Sequence, residues 1–186
     1  MSSTAFRVSF TLDEQDVAYF RSLFRKAKRT AREGDPKEIL AGARTLVEKV
    51  RSAGKAPKFV VAAIEALEDL VQIIEDADWK APKSVVTPVL AALAYFSEPE
   101  DLIPDHIPVL GFLDDAIMMK FVEREFKHEL AAYRRFRRFR DGAEQRPWTP
   151  VARGRLPSRL DAQRKKLRAE VDRRKKTDEK KGIIGF

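Results

Sequence analysis

Cysteine is missing from all 186 residues, and that absence removes disulfide frameworks, thiolate zinc sites and cysteine nucleophiles together. Glycine is scarce: its eight residues are scattered and form no G-x-S-x-G turn, P-loop or G-x-G-x-x-G fingerprint, which excludes those nucleophile elbows and phosphate cradles. The opening MSSTAFRVSFTLDEQ lacks the basic start and apolar run of a secretory signal. Long hydrophobic runs are lacking too. The most apolar stretch, VVTPVLAALAYF from Val85 to Phe96, has 12 residues, against the roughly 20 needed to cross a bilayer. No transmembrane span is expected, and the chain is placed in the cytoplasm, with a membrane-peripheral location as the alternative.

What is abundant is charge. Charged residues make up 35% of the chain and apolar residues 44%, a globular composition with a heavily charged surface. The net charge of +8 is unevenly divided. Up to Tyr133 there are 18 Lys and Arg against 22 Asp and Glu, a net of −4; from Arg134 onward there are 19 against 7, a net of +12. Attraction for a polyanion therefore belongs to the C-terminal part.

Periodicity gives an all-α fold: a helical bundle of about five helices, a proline-rich helix-to-helix corner and a basic C-terminal helical tail. Phe6, Val8 and Phe10 alternate over too few residues to build a sheet. Thr11 opens a T-L-D-E capping box, so a helix is expected from Leu12, with Val17, Phe20, Leu23, Phe24 and Ala27 on one face. Asp35 and Pro36 start a second helix that runs to about Ser52. After Pro57, Val60, Ile64, Leu67, Val71 and Ile74 recur at spacings of four and three, while Glu65, Glu68, Asp69, Glu75 and Asp76 fall on other faces. The uncharged stretch from Val85 to Phe96 reads as a helix buried all round, with Pro88 near its first turn. A long helix is expected from about Gly111 through Tyr133 into YRRFRRFRDG. The domain is thus 1–142, followed by a linker at 143–157 and a basic, partly helical tail at 158–186, in which Ser158 caps a helix with Leu160, Leu167 and Val171 as its few apolar residues.

The corner is SEPEDLIPDHIPVLGFLDD, Ser97 to Asp115. Prolines at 99, 104 and 108 disfavour helix in the residues that precede them. With the apolar stretch before it, the segment resembles the YkvA-like family, a short domain of unknown function marked by D-L-I-P-D-x-I-P-V-L-G-x-L-D-D. The resemblance covers about 85–122 and rests on Asp101, Pro104, Asp105, Pro108, Gly111, Asp114 and Asp115. It implies no established activity and supplies no catalytic residues.

Two readings of the aspartates compete. In the leading one, Asp101 and Asp105 cap turns or helix starts, and Asp114 and Asp115 sit in a first helical turn where the dipole favours anions. In the other, Asp101, Asp105, Asp114 and Asp115 hold a hard divalent cation, Mg²⁺, Mn²⁺ or Ca²⁺, with metal-assisted hydrolysis as a further step. His106 is read as an ordinary corner residue, and His128 as solvated. For polyanion binding the candidates are Arg134, Arg135, Arg137, Arg138, Arg164, Lys165, Lys166, Arg173, Arg174, Lys175 and Lys176. Tyr133, Phe136 and Phe139 among the first of these would offer stacking platforms for nucleic acid, but spacing three makes them the apolar face of a helix end. Trp79 and Trp148 read as packing anchors.

The expected function is a non-enzymatic interaction module. No cofactor is expected beyond the possible divalent cation. An unidentified protein, nucleic acid or anionic lipid is the expected partner of the tail. If the aspartates are caps, Asp105→Ala lowers stability by about 1 kcal/mol in chelator as in metal, measured by thermal unfolding. A saturable stabilisation by one cation that this variant loses would establish the metal reading instead.

Overall fold

A computed structural model describes residues 11–30, 34–53, 56–97, 112–145 and 154–182. Helix α1, Glu14–Thr30, begins two residues later than the capping box at Thr11 suggests. Asp13 is the cap: its carboxylate accepts the amides of Gln15 at 2.8 Å and Asp16 at 2.9 Å, while Asp16 accepts the Asp13 amide at 3.1 Å. Two boxes overlap in this sequence, and the aspartate wins because it adds a charge to the hydrogen bonds it accepts at the positive helix end. Phe20, Phe24 and Ala27 then face inward. Helix α2, Pro36–Ser52, starts as expected, with the Asp35 side chain accepting the Lys37 amide at 2.9 Å.

Helix α3, Lys58–Glu75, is the hub. It touches α2, α4 (Lys83–Leu93), α5 (Leu113–Glu125) and α6 (Lys127–Glu144). With that many neighbours, one apolar stripe is not enough. Ala63, Ala66, Leu70 and Ile73 are buried alongside the expected Val60, Ile64, Leu67 and Val71, and Asp69 is buried with them.

Helix α4 is less enclosed than its composition suggests. Val89, Ala92 and Leu93 are buried, yet Thr87 is exposed and Val85, Val86 and Leu90 are half-buried. Pro88 is the sixth residue of the helix, in its second turn and not its first. There it has no N–H to offer the Ser84 carbonyl. A 3-10 turn, Ala94–Ser97, continues α4 and packs on α1 and α2.

The long helix expected after the corner is two helices. Phe126 ends α5 and begins α6 with φ −102° and ψ 19°. Its amide still reaches the Val122 carbonyl at 2.9 Å and its carbonyl takes the Leu130 amide at 2.9 Å, so the bonding continues while the axis changes direction. The break lets α5 and α6 both pack on α3, with Met118, Met119 and Val122 buried before it and Leu130, Tyr133 and Phe136 after it. Helix α7, Leu156–Lys180, starts ahead of Ser158 and lies along α6. Seven α-helices are therefore described where about five were expected. The alternating Phe6, Val8 and Phe10, the residues 98–111 of the corner and the segment 146–153 lie outside the described residues.

Gly42 shows how closely α2 meets the 3-10 turn. A Cβ built there would lie 2.4 Å from Ser97 Cβ and 2.7 Å from Ser97 Cα, which backbone cannot yield cheaply. Gly42→Ala is expected to cost about 1–3 kcal/mol in urea unfolding. Gly142→Ala, in α6 with nothing within 4 Å of the added carbon, is expected to gain about 0.5–1 kcal/mol from helix propensity. Equal effects of the two would contradict the close approach.

Candidate functional site

The basic C-terminal part is organised by acidic residues on α3. Asp69, Gln72 and Asp76 follow one another at spacings of three and four, which puts them on one face of the helix. Arg134, Arg137 and Arg140 do the same at spacings of three on α6. The two rows meet. Asp69 takes Arg134 at 2.5 Å and Arg137 at 2.8 Å, Gln72 takes Arg137 at 2.9 Å, and Asp76 takes Arg140 at 2.8 Å. Tyr133 donates its hydroxyl to Asp76 at 3.0 Å.

Burial alone would raise the Asp76 pKa. The amides of Trp79 and Asp78, the Tyr133 hydroxyl and the Arg140 guanidinium outweigh it and hold the carboxyl below its ordinary range. Tyr133 is pushed the other way, up, by burial and then by its hydrogen bond to the Asp76 carboxylate and that group's charge. The rings of Tyr133 and Phe136 are buried, so neither is open to a nucleic-acid base.

The same Asp76 carboxylate shapes the turn into α4, accepting the amides of Asp78 at 2.9 Å and Trp79 at 3.0 Å. The turn ends at Lys80 with φ 49°, the left-handed region. Trp79 is thereby laid into the core, its ring 5.7 Å from that of Tyr133 and 5.1 Å from that of Phe136. Helix α7 clamps this turn from outside. Arg164 donates to the Asp78 carbonyl at 2.9 Å, and Arg168 donates to the carbonyls of Trp79 and Lys80 while its guanidinium lies 5.3 Å from the Trp79 ring centre. Leu160, Leu167 and Val171 of α7 are all buried.

Ion pairs complete the docking of α7 on α6. Arg135 meets Glu170 at 2.7 Å, Lys175 meets Glu129, and Asp178 meets both Lys127 and, at 2.8 Å, His128. His128 is thus partly buried and paired, contrary to its expected solvation. The contacts to Lys127 and then His128 hold Asp178 below the usual carboxylate range.

The sequence-predicted cations consequently divide into two sets. Arg134, Arg135, Arg137, Arg164 and Lys175 face inward to partners on other elements, and Lys165 and Arg174 pair along α7 with Asp161 and Glu170. Arg138, Lys166, Arg173 and Lys176 are exposed. On α7 the positions 162, 166, 169, 173, 176 and 180 step by four and three and form one outward stripe: Ala, Lys, Ala, Arg, Lys, Lys, all exposed. No acidic residue interrupts it. Asp172 and Glu179 lie about 80–100° round the helix. From Lys166 to Lys180 the stripe runs about 21 Å.

The other predicted site is only half within view. Asp114 and Asp115 occupy the first turn of α5 and are buried. Asp101 and Asp105, with His106, lie outside the described residues. Among the described residues no three metal-ligating side chains come together.

What sequence reasoning missed is the acidic half of each contact: Asp69, Asp76, Glu129 and Glu170. The signal was present in the matched spacings of the Asp69 row and the Arg134 row. Glu129 also lines a cavity of about 330 Å³ between the start of α4, α6 and α7, together with Trp79, Val85, Arg168 and Lys175.

Because the folded Asp76 titrates below the unfolded one, its contribution is complete above the ordinary aspartate range and is lost as pH falls through the folded value. In urea unfolding at neutral pH, Asp76→Asn is expected to cost about 2 kcal/mol. Between pH 5 and pH 2 the variant should lose less stability than the wild type; parallel curves would contradict the assignment.

Comparison with known proteins agrees with the corner. Residues 86–121 match the family described as "Protein of unknown function (DUF1232)". The chain is also 39% identical over 66 residues to the "Uncharacterized membrane protein YkvA" of Bacillus subtilis (strain 168), a match that takes in 32% of this chain and 62% of that relative. The chain thus spans about three fifths of the length of the curated relative it matches. No solved structure matches. Over residues 86–121 the chain is accordingly similar to the DUF1232 family and to YkvA.

Proposed function

We infer that the protein is a non-enzymatic helical module that attaches peripherally to an anionic membrane surface through the outer face of α7. The observation that carries this reading is the division of the basic residues. The inward cations of α7, Arg164, Arg168 and Lys175, dock the helix, which fixes Lys166, Arg173, Lys176 and Lys180 as a straight, exposed row on a supported helix. A straight row suits a flat, anionic surface. Each Lys or Arg near such a surface contributes about 1 kcal/mol, so four give reversible attachment that weakens with salt.

Two further points support membrane over nucleic acid. The row contains no aromatic or amide side chain for stacking or base reading, and the relative matched above is described as a membrane protein. Among the described residues no helix is long and apolar enough to cross a membrane, so their contact with one is read as peripheral. The YkvA-like segment serves in this reading as part of the scaffold behind the docked helix.

The test is flotation with vesicles of phosphatidylcholine and about 30% phosphatidylserine, in low and high salt. The wild type should float at low salt and be released as salt rises. Reversing the row, with Lys166→Glu, Arg173→Glu, Lys176→Glu and Lys180→Glu together, should leave helical circular dichroism unchanged and abolish flotation. Undiminished flotation of that variant would remove α7 from the account, and retention on single-stranded DNA in place of vesicles would redirect the reading to nucleic acid.

A further inference from the structure

The cavity beside α7 has a charge arrangement that points to a ligand of its own. Glu129 stands in the first turn of α6 and is only 4% exposed. A carboxylate taken so far from water needs a cation or several hydrogen bonds. Among the described residues its Oε2 has no hydrogen-bonding partner, and the Lys175 ammonium stands against Oε1. Lys175 approaches from α7 with 43% of its side chain exposed, so the ammonium sits at the buried carboxylate while the stem runs through the cavity mouth. Asp172, one turn earlier on α7, lines the same cavity and adds a second negative charge.

The remaining walls limit what else can enter. Val85, Val171 and Pro82 are apolar. Trp79 contributes its indole, whose face already carries Arg168. The Arg168 guanidinium is bound to two backbone carbonyls of the α3–α4 turn and places a fixed positive charge on the wall. A second cationic group in the cavity would meet that charge. The volume of about 330 Å³ is at the small end of ligand pockets.

We propose that this cavity binds a small aliphatic monoamine, with its ammonium on Glu129 and its chain against Val85 and Val171, and that the Lys175 ammonium occupies the same subsite when no ligand is bound. Lys175 is then an intramolecular competitor, and removing it strengthens binding while removing Glu129 ends it. A merely structural ion pair predicts the opposite for Lys175: its loss would leave a buried charge without a partner and no new affinity.

Trp79 reports on the cavity from within, so the experiment follows its fluorescence in the full chain carrying Trp148→Phe. The probes are n-pentylamine, 1,5-diaminopentane and 1-pentanol. Pentylamine should produce a saturable change that is tightened about tenfold by Lys175→Ala, since an attached competitor acts at high effective concentration. The change should be lost in Glu129→Gln, with circular dichroism confirming that both variants fold. The diamine should bind more weakly because of Arg168. No saturable change with pentylamine in Lys175→Ala overturns the proposal, as does an equal response to 1-pentanol.

Discussion

The Asp76 carboxylate is the constraint from which the rest of the described structure follows. It sits at the end of α3 and accepts the two amides that turn the chain toward α4, the hydroxyl of Tyr133 and the guanidinium of Arg140. A group buried among apolar neighbours is stabilising only when its acceptor capacity is filled, and here one side chain is filled from both the α3–α4 turn and α6. That fixes the direction of the turn. The turn in turn presents the carbonyls of Asp78, Trp79 and Lys80, and these are what Arg164 and Arg168 of α7 bind. The position of the outer helix thus depends on an aspartate it never touches.

Charge that looks separated along the chain is largely neutralised in space. The acidic first part and the basic last part meet across α3 and α6, and again where α7 lies on α6 and on the α3–α4 turn. Net charge per segment therefore overstated the basic character of the surface. It also misdescribed the C-terminal helix, whose arginines on one side are structural fasteners while the lysines on the other remain in water. A helix with only four large apolar residues in 25 can dock because long cationic side chains bury their stems and carry their charge to carbonyls and carboxylates.

The elements were legible where local rules act alone. Asp35 and Pro36 announce α2, and the fours and threes of Val60 to Val71 announce α3. The fold escaped the sequence where tertiary contact decides between local alternatives. Thr11 and Asp13 both offer capping boxes. Phe126 carries no glycine or proline to mark a break, because the break serves the packing of its neighbours on α3. Of the candidate sites, the first-turn positions of Asp114 and Asp115 and the apolar face of Tyr133 and Phe136 were readable from position in a helix. The inward turn of Lys175 was not, since nothing local distinguishes it from Lys176. Its partner Glu129 lies 46 residues earlier, and only the packing of α7 on α6 brings them together.

The clamp of α7 also orders the assembly of the chain in time. Every backbone carbonyl that Arg164 and Arg168 bind lies before residue 81, and further docking surface is on α6. Segments made earlier in synthesis fold as units before later ones emerge. When α7 leaves the ribosome, its whole berth has already been translated, so it can join a finished surface in a late, local step without rearranging the core behind it.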